Sequence, residues 1–132
     1  WWLKDIRRNW ANILMVLIFI VLGSRSFSRN LDWLNEGRLF IKDAQYAVGS
    51  VLAQNNAAAI HLKNNSLDEA KVYLDRAEVV YPEYPELMNN WGMYYWLKGN
   101  KTVAKEKFLK CMDRYPGNIL CESNLQRISK EE

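Results

Sequence analysis

Apolar and polar positions fall into three regimes along the chain. Residues 13–22 are apolar without a break. Between residues 33 and 47 the apolar positions take helical spacing. Residues 33, 34, 40 and 44 form one stripe, with 39 and 47 beside it. From residue 51 the spacing stays helical and the pattern also repeats. Residues 51–84 laid on 85–118 give six identities: Asn55/Asn89, Asn56/Asn90, Ala70/Ala104, Lys71/Lys105, Tyr81/Tyr115 and Pro82/Pro116. A 34-residue period with this patterning predicts helix–turn–helix units stacked into a solenoid.

Local signals place the helices. The first repeat reads as helix A over 51–63 and helix B over 67–80. Ser66 and Glu69 have the spacing of a capping box at the start of helix B. Pro82 stops that helix, and Pro85 opens the next one, where its missing N–H costs nothing. The second helix A ends at Gly99, helix B spans 101–114, and 116–118 turns the chain into a last helix over 119–129. Upstream, Asn30 or Asp32 can cap a helix through Trp33, Leu34, Leu39, Phe40 and Tyr46 that Gly49 and Ser50 close. That helix and the last one are expected to cap the stack at its two ends.

The uninterrupted run is predicted to be the core of a transmembrane helix. Trp1, Trp2 and Trp10 suit a membrane interface, and the helix can continue to Phe27 with Arg25 reaching the headgroups. A solenoid offers no cavity for a helix that is apolar all round. A signal-peptide core or a tucked-in helix are the competing readings of so short a run. Lys4, Arg7 and Arg8 outnumber Arg25 and Arg29, which puts residues 1–9 in the cytoplasm and the repeats on the extracytoplasmic side, in a lumen or periplasm. The expected organisation is therefore all-α. Residues 1–27 form a membrane-spanning helix with a basic flank, 28–50 a linker and capping helix, 51–84 and 85–118 the two repeats, and 119–132 a C-terminal cap. The start at Trp1, without an initiator Met, suggests a piece of a longer protein.

Composition adds bounds. The formal net charge of +3 is too small to imply a nucleic-acid partner, and no basic stripe alternates with aromatics. Cys111 and Cys121 lack metal-ligand spacing. They can form one disulfide or be two small buried residues, which leaves the redox compartment open. No phosphate-cradling glycine loop, nucleophile elbow or paired carboxylates are found. No catalytic residue, metal ligand or cofactor site is assigned. Asp68, Glu69, Glu131 and Glu132 read as solvated helix-end charges.

The repeat resembles the tetratricopeptide repeat. The resemblance rests on Ala58/Gly92, Ala70/Ala104, Ala77/Cys111 and Pro82/Pro116. Small residues are needed where helices A and B touch, and a helix stop where the next unit begins. Trp91, Tyr95, Leu74 and Phe108 fill the large positions. The first repeat departs with Ala57 and His61. The family's fold is an all-α solenoid, and its usual role is binding a polypeptide. The junction at 28–40 is similar to the segment after the last transmembrane helix of repeat-containing, membrane-embedded protein O-mannosyltransferases. Arg29, Asn30, Asp32, Trp33, Glu36, Leu39 and Phe40 carry that likeness. It implies a polyprenyl-phosphate-sugar-dependent glycosyltransferase as the parent, whose catalytic acids would lie upstream of this chain. The alternative is a single-span repeat scaffold or assembly factor without catalytic activity.

Three Asn recur 34 apart on the A helices: Asn56, Asn90 and Asn124. An amide both donates and accepts, so such a ladder can hold a peptide backbone of any sequence. Asn55, Asn89, Met93 and Trp96 join it as candidate peptide-binding residues. The alternative for the Asn is local bonding between helices. His61 reads as packing, and of the aromatics Tyr94 or Trp96 is a candidate for exposure. Asn64-Asn65-Ser66 and Asn100-Lys101-Thr102 match the N-glycosylation sequon, both at A–B turns. The expected partners are thus a polypeptide in the groove and a lipid bilayer, with no nucleic acid.

Overall fold

The computed structural model describes residues 2–33 and 36–131, in seven helices. In order they are α1 (Trp2–Trp33), α2 (Glu36–Tyr46), α3 (Val51–Lys63), α4 (Leu67–Val80), α5 (Pro85–Leu97), α6 (Lys101–Arg114) and α7 (Ile119–Ser129). Trp1, Leu34, Asn35 and Glu132 lie outside the described residues. So do the side chains of residues 2–9, 11 and 29–36, among them Trp2 and the junction residues Arg29, Asn30, Asp32, Trp33 and Glu36. The chain divides into two compact units, Trp1–Leu39 and Phe40–Glu132.

In the first unit α1 runs through Asn30 and Asp32, so neither begins a new helix. The expected membrane span does not hold. Among the described residues no helix is long and apolar enough to cross a membrane. The physical reason is the length of the apolar stretch. At about 1.5 Å per residue, residues 13–22 cover roughly 15 Å of a hydrocarbon core that is about 30 Å thick. The sequence turns polar on both sides, with Arg7, Arg8 and Asn9 before it and Ser24, Arg25 and Ser26 after. The bilayer as a partner loses its support with the span. Every side chain from residue 13 to 22 is nevertheless exposed.

The second unit is the helical stack. α3, α5 and α7 lie side by side as one layer, with α4 and α6 packed against them. The caps follow local chemistry. Ser50 accepts from the Ala53 N–H at 3.3 Å, Asn100 from Val103 at 3.2 Å and Asn118 from Cys121 at 3.1 Å. Pro85 sits in the first turn of α5. Ser66 makes no side-chain cap bond, so the expected capping box does not form. The A–B turns need a left-handed residue, supplied by Asn65 at φ 56° and Gly99 at φ 85°. Gly117, at φ 86°, does the same after α6.

The core falls into three buried clusters, two of them bridged by the partly buried Met93 and Tyr95. Ala58, Ala70, Leu74, Ala77 and Leu87 are fully buried with Trp91 and Tyr94 beside them. Ala104, Phe108 and Ile128 form the second cluster, towards α7. Each large apolar side chain buried there contributes about 1.5–3 kcal/mol. At the C-terminal end Cys111 and Cys121 form a disulfide beside Met88, with Cα atoms 6.3 Å apart. Of the two readings of this pair, the structure takes the disulfide.

Candidate peptide-binding groove

A groove of 380 Å³ opens between α3 and α5. Ala59, Leu62 and Lys63 line it from α3, and Asn90, Met93 and Leu97 from α5. The wall is largely apolar, with one amide and a cation at the Lys63 end. Pockets of a few hundred cubic ångströms with few polar groups are typical of binding sites. Asn90 and Met93 are thus brought together in one cleft.

The other candidate residues are placed differently. The amides form a relay across the A-helix layer. Arg127 Nη1 donates to Asn124 Oδ1 at 3.3 Å, and Asn124 Nδ2 donates to Asn89 Oδ1 at 2.8 Å. Asn89 Nδ2 approaches Asn90 Oδ1 at 3.5 Å, and Asn90 Nδ2 donates to Asn55 Oδ1 at 2.9 Å. The bonds therefore run α7 to α5 to α3, with an offset of 35 residues rather than 34. All four Asn of the relay are buried, whereas Asn56 is half-buried and takes no part in it. A buried amide needs such partners, since leaving it unpaired costs about 1–3 kcal/mol.

Trp96 faces α7 instead of the groove. Its ring meets Phe108 edge-on, Arg127 lies over it at 5.1 Å, and Nε1 donates to Glu131 Oε2 at 3.1 Å. Glu131 also pairs with Lys101 at 3.5 Å, so it is a latch between the ends of α6 and α7 and not a free helix-end charge. Tyr94 is buried. His61 stacks on Tyr73 with ring centroids 5.3 Å apart, a packing role.

One buried polar residue carries no repeat signal. Gln54 is fully buried, and its Nε2 donates to the carbonyls of Ala44 and Ala47 at 2.7 and 3.2 Å. It ties the end of α2 to α3. The equivalent residue one repeat later is Met88, and that departure from the period was the available signal. The B–A turn of the first repeat is held by the end of α6. Arg114 pairs with Glu83 at 2.7 Å, and the Tyr115 hydroxyl donates to the Glu83 carbonyl. Loss of hydration, then the neighbouring Tyr81 hydroxyl, hold the Tyr115 phenol above its ordinary value. Among the described residues no group of His, Cys, Asp and Glu is arranged to hold a metal ion.

The second TPR domain of human RPAP3, solved by NMR in complex with HSP70 peptide SGPTIEEVD, matches this architecture. The TM-score is 0.61 over 80% of this chain and 88% of that one, at 19% sequence identity. The fold is a tetratricopeptide-type solenoid. Human protein O-mannosyl-transferase TMTC2 is 32% identical over 72 residues, which is 54% of this chain. The chain spans 9% of the length of that relative. No family model matches the chain. The likeness to RPAP3 is one of fold, and the likeness to a protein O-mannosyl-transferase is partial.

Proposed function

We propose that the tetratricopeptide-type stack holds an extended polypeptide in the groove between α3 and α5, and that it does so as part of a protein O-mannosyltransferase-like enzyme whose acceptor it recruits. The observation that carries this is the apolar cleft with Asn90 in its wall. Met93, Leu62, Leu97 and Ala59 take the apolar side chains of the peptide. Asn90 still has one N–H and a lone pair for a main-chain amide, because its relay bonds use only one of each. That the solenoid of RPAP3 was solved with a bound peptide supports the ligand class, and the partial likeness to TMTC2 supports the parent. The Cys111–Cys121 disulfide supports an oxidising, extracytoplasmic site for the repeats.

The test uses dodecamer peptides selected by phage display against the chain, with affinity measured by isothermal titration. Met93→Glu places a charge in the apolar wall and should weaken the selected peptides at least about tenfold, while melting stays cooperative. Trp96→Ala should cost stability and leave affinity near that of the parent chain. Selected peptides that bind Met93→Glu and the parent chain equally would place the ligand elsewhere.

A further inference from the structure

We propose that Asn64 and Asn100 are N-glycosylated. Both head an Asn-x-Ser/Thr sequon, and the second uses the only Thr in the chain. Both are exposed, each at the turn that joins helix A to helix B in its repeat. Among the described residues the geometry leaves the reacting nitrogens without a partner. Asn64 uses its backbone N–H on the Ile60 carbonyl at 3.1 Å, and among the described residues its side chain makes no hydrogen bond. The Ser66 hydroxyl, which would otherwise cap α4, makes no cap bond and stays available to a transferase. Asn100 caps α6 through Oδ1, with Val103 N–H at 3.2 Å, and among the described residues its Nδ2 makes no hydrogen bond. A glycan on Nδ2 keeps that carbonyl oxygen, so cap and modification are compatible.

The donor is a lipid-diphosphate-linked oligosaccharide, delivered by an oligosaccharyltransferase of the host. The Asn Nδ2–C1 bond forms and the C1–O bond to the diphosphate breaks. The lipid diphosphate departs, and Nδ2 gives up one proton. Nothing is oxidised or reduced. Both glycans stand on the A–B edge of the stack. The one on Asn64 follows Lys63, which lines the groove, so the Lys63 end of the cleft is screened and a peptide enters from the opposite end.

The inference rests on the oxidising compartment proposed above, and the test reads the two separately. The 132-residue chain, behind a cleavable secretion signal, is produced in a mammalian secretory line. Its intact mass is then measured before and after peptide-N-glycosidase, with thiol titration of the same sample. Two glycans are expected. Asn64→Gln or Ser66→Ala should remove one, and Asn100→Gln or Thr102→Ala the other. Thr102→Ala keeps the Asn100 cap, which guards against misfolding as the cause. A disulfide-bonded chain with one glycan or none overturns the proposal. Free thiols there remove the disulfide on which the oxidising-compartment reading rests.

Discussion

Where helices A and B of a unit touch, the first repeat pairs Ala58 with Leu74 in one buried cluster and the second has Gly92 against Phe108. The exchange is a volume trade. A Cβ added at Gly92 would lie 2.3 Å from Phe108 Cε1. Gly92→Ala should therefore cost about 1–3 kcal/mol, read as a lower urea midpoint with the slope unchanged. Gly92→Ala combined with Phe108→Leu copies the first repeat. In a double-mutant cycle the pair should lose less than the two single changes added together. Tyr115 gives a second prediction at this scale. Its phenol is held above the ordinary value, so the folded state retains that proton more tightly than the unfolded chain. The stabilisation is complete below about pH 10 and is lost as pH rises through the folded value. Denaturant titrations at pH 8 and at pH 11 should therefore show a stability loss in the parent chain that is smaller in Tyr115→Phe.

Between elements, the Asn relay joins α3, α5 and α7 where apolar side chains alone would let neighbouring helices slide. Asn124→Ala removes the donor to Asn89 and the acceptor for Arg127, leaving a buried amide short of a partner. The expected loss is about 1–3 kcal/mol by thermal or urea melting. Asn56→Ala touches none of these bonds and should change stability by less than about 0.5 kcal/mol. It separates the two roles of Asn: a drop in affinity for selected peptides without a drop in stability assigns Asn56 to the ligand. The helices themselves were legible in the sequence because period, proline stops and turn residues agree. α3 to α7 fall on the stretches that pattern defines. The relay was not, since a 34-residue period aligns equivalent residues while the bonds join Asn55 to Asn90 and Asn89 to Asn124. Adjacent helices are offset by the geometry of packing, which identity at a fixed period does not encode. That α1 is a helix was legible, but its run to Trp33, past the expected end at residue 27, and its failure to span were not. An apolar run of that length fits both a helix segment in a longer polar helix and a lipid-facing one, and hydropathy beyond the run decides between them.

Over the whole stack, stability is a sum of nearest-neighbour interfaces, so the terminal helix is the one held from a single side. α7 covers Phe108 and Met88 through Ile128 and Cys121, yet Ile119 and Leu120 remain exposed on its outer face. Its own burial is modest, and three ties compensate: the Asn124 relay, the Glu131 latch to Lys101 and Trp96, and the Cys111–Cys121 disulfide. The disulfide closes a short loop, with a sequence separation of 10, which by chain entropy stabilises by about 2–3 kcal/mol. The Cys111→Ser/Cys121→Ser chain should lose about that much. The loss should be local at first: amide exchange rises in α7 and at the end of α6 before it rises in α3 and α4. The groove between α3 and α5 meets α7 only through its α5 wall, so peptide affinity should fall less than the exchange protection of α7 at temperatures where α7 has already opened. Uniform exchange across α3–α7 in the Ser variant would mean that the stack unfolds as one cooperative block, and that the disulfide stabilises the groove as much as the cap.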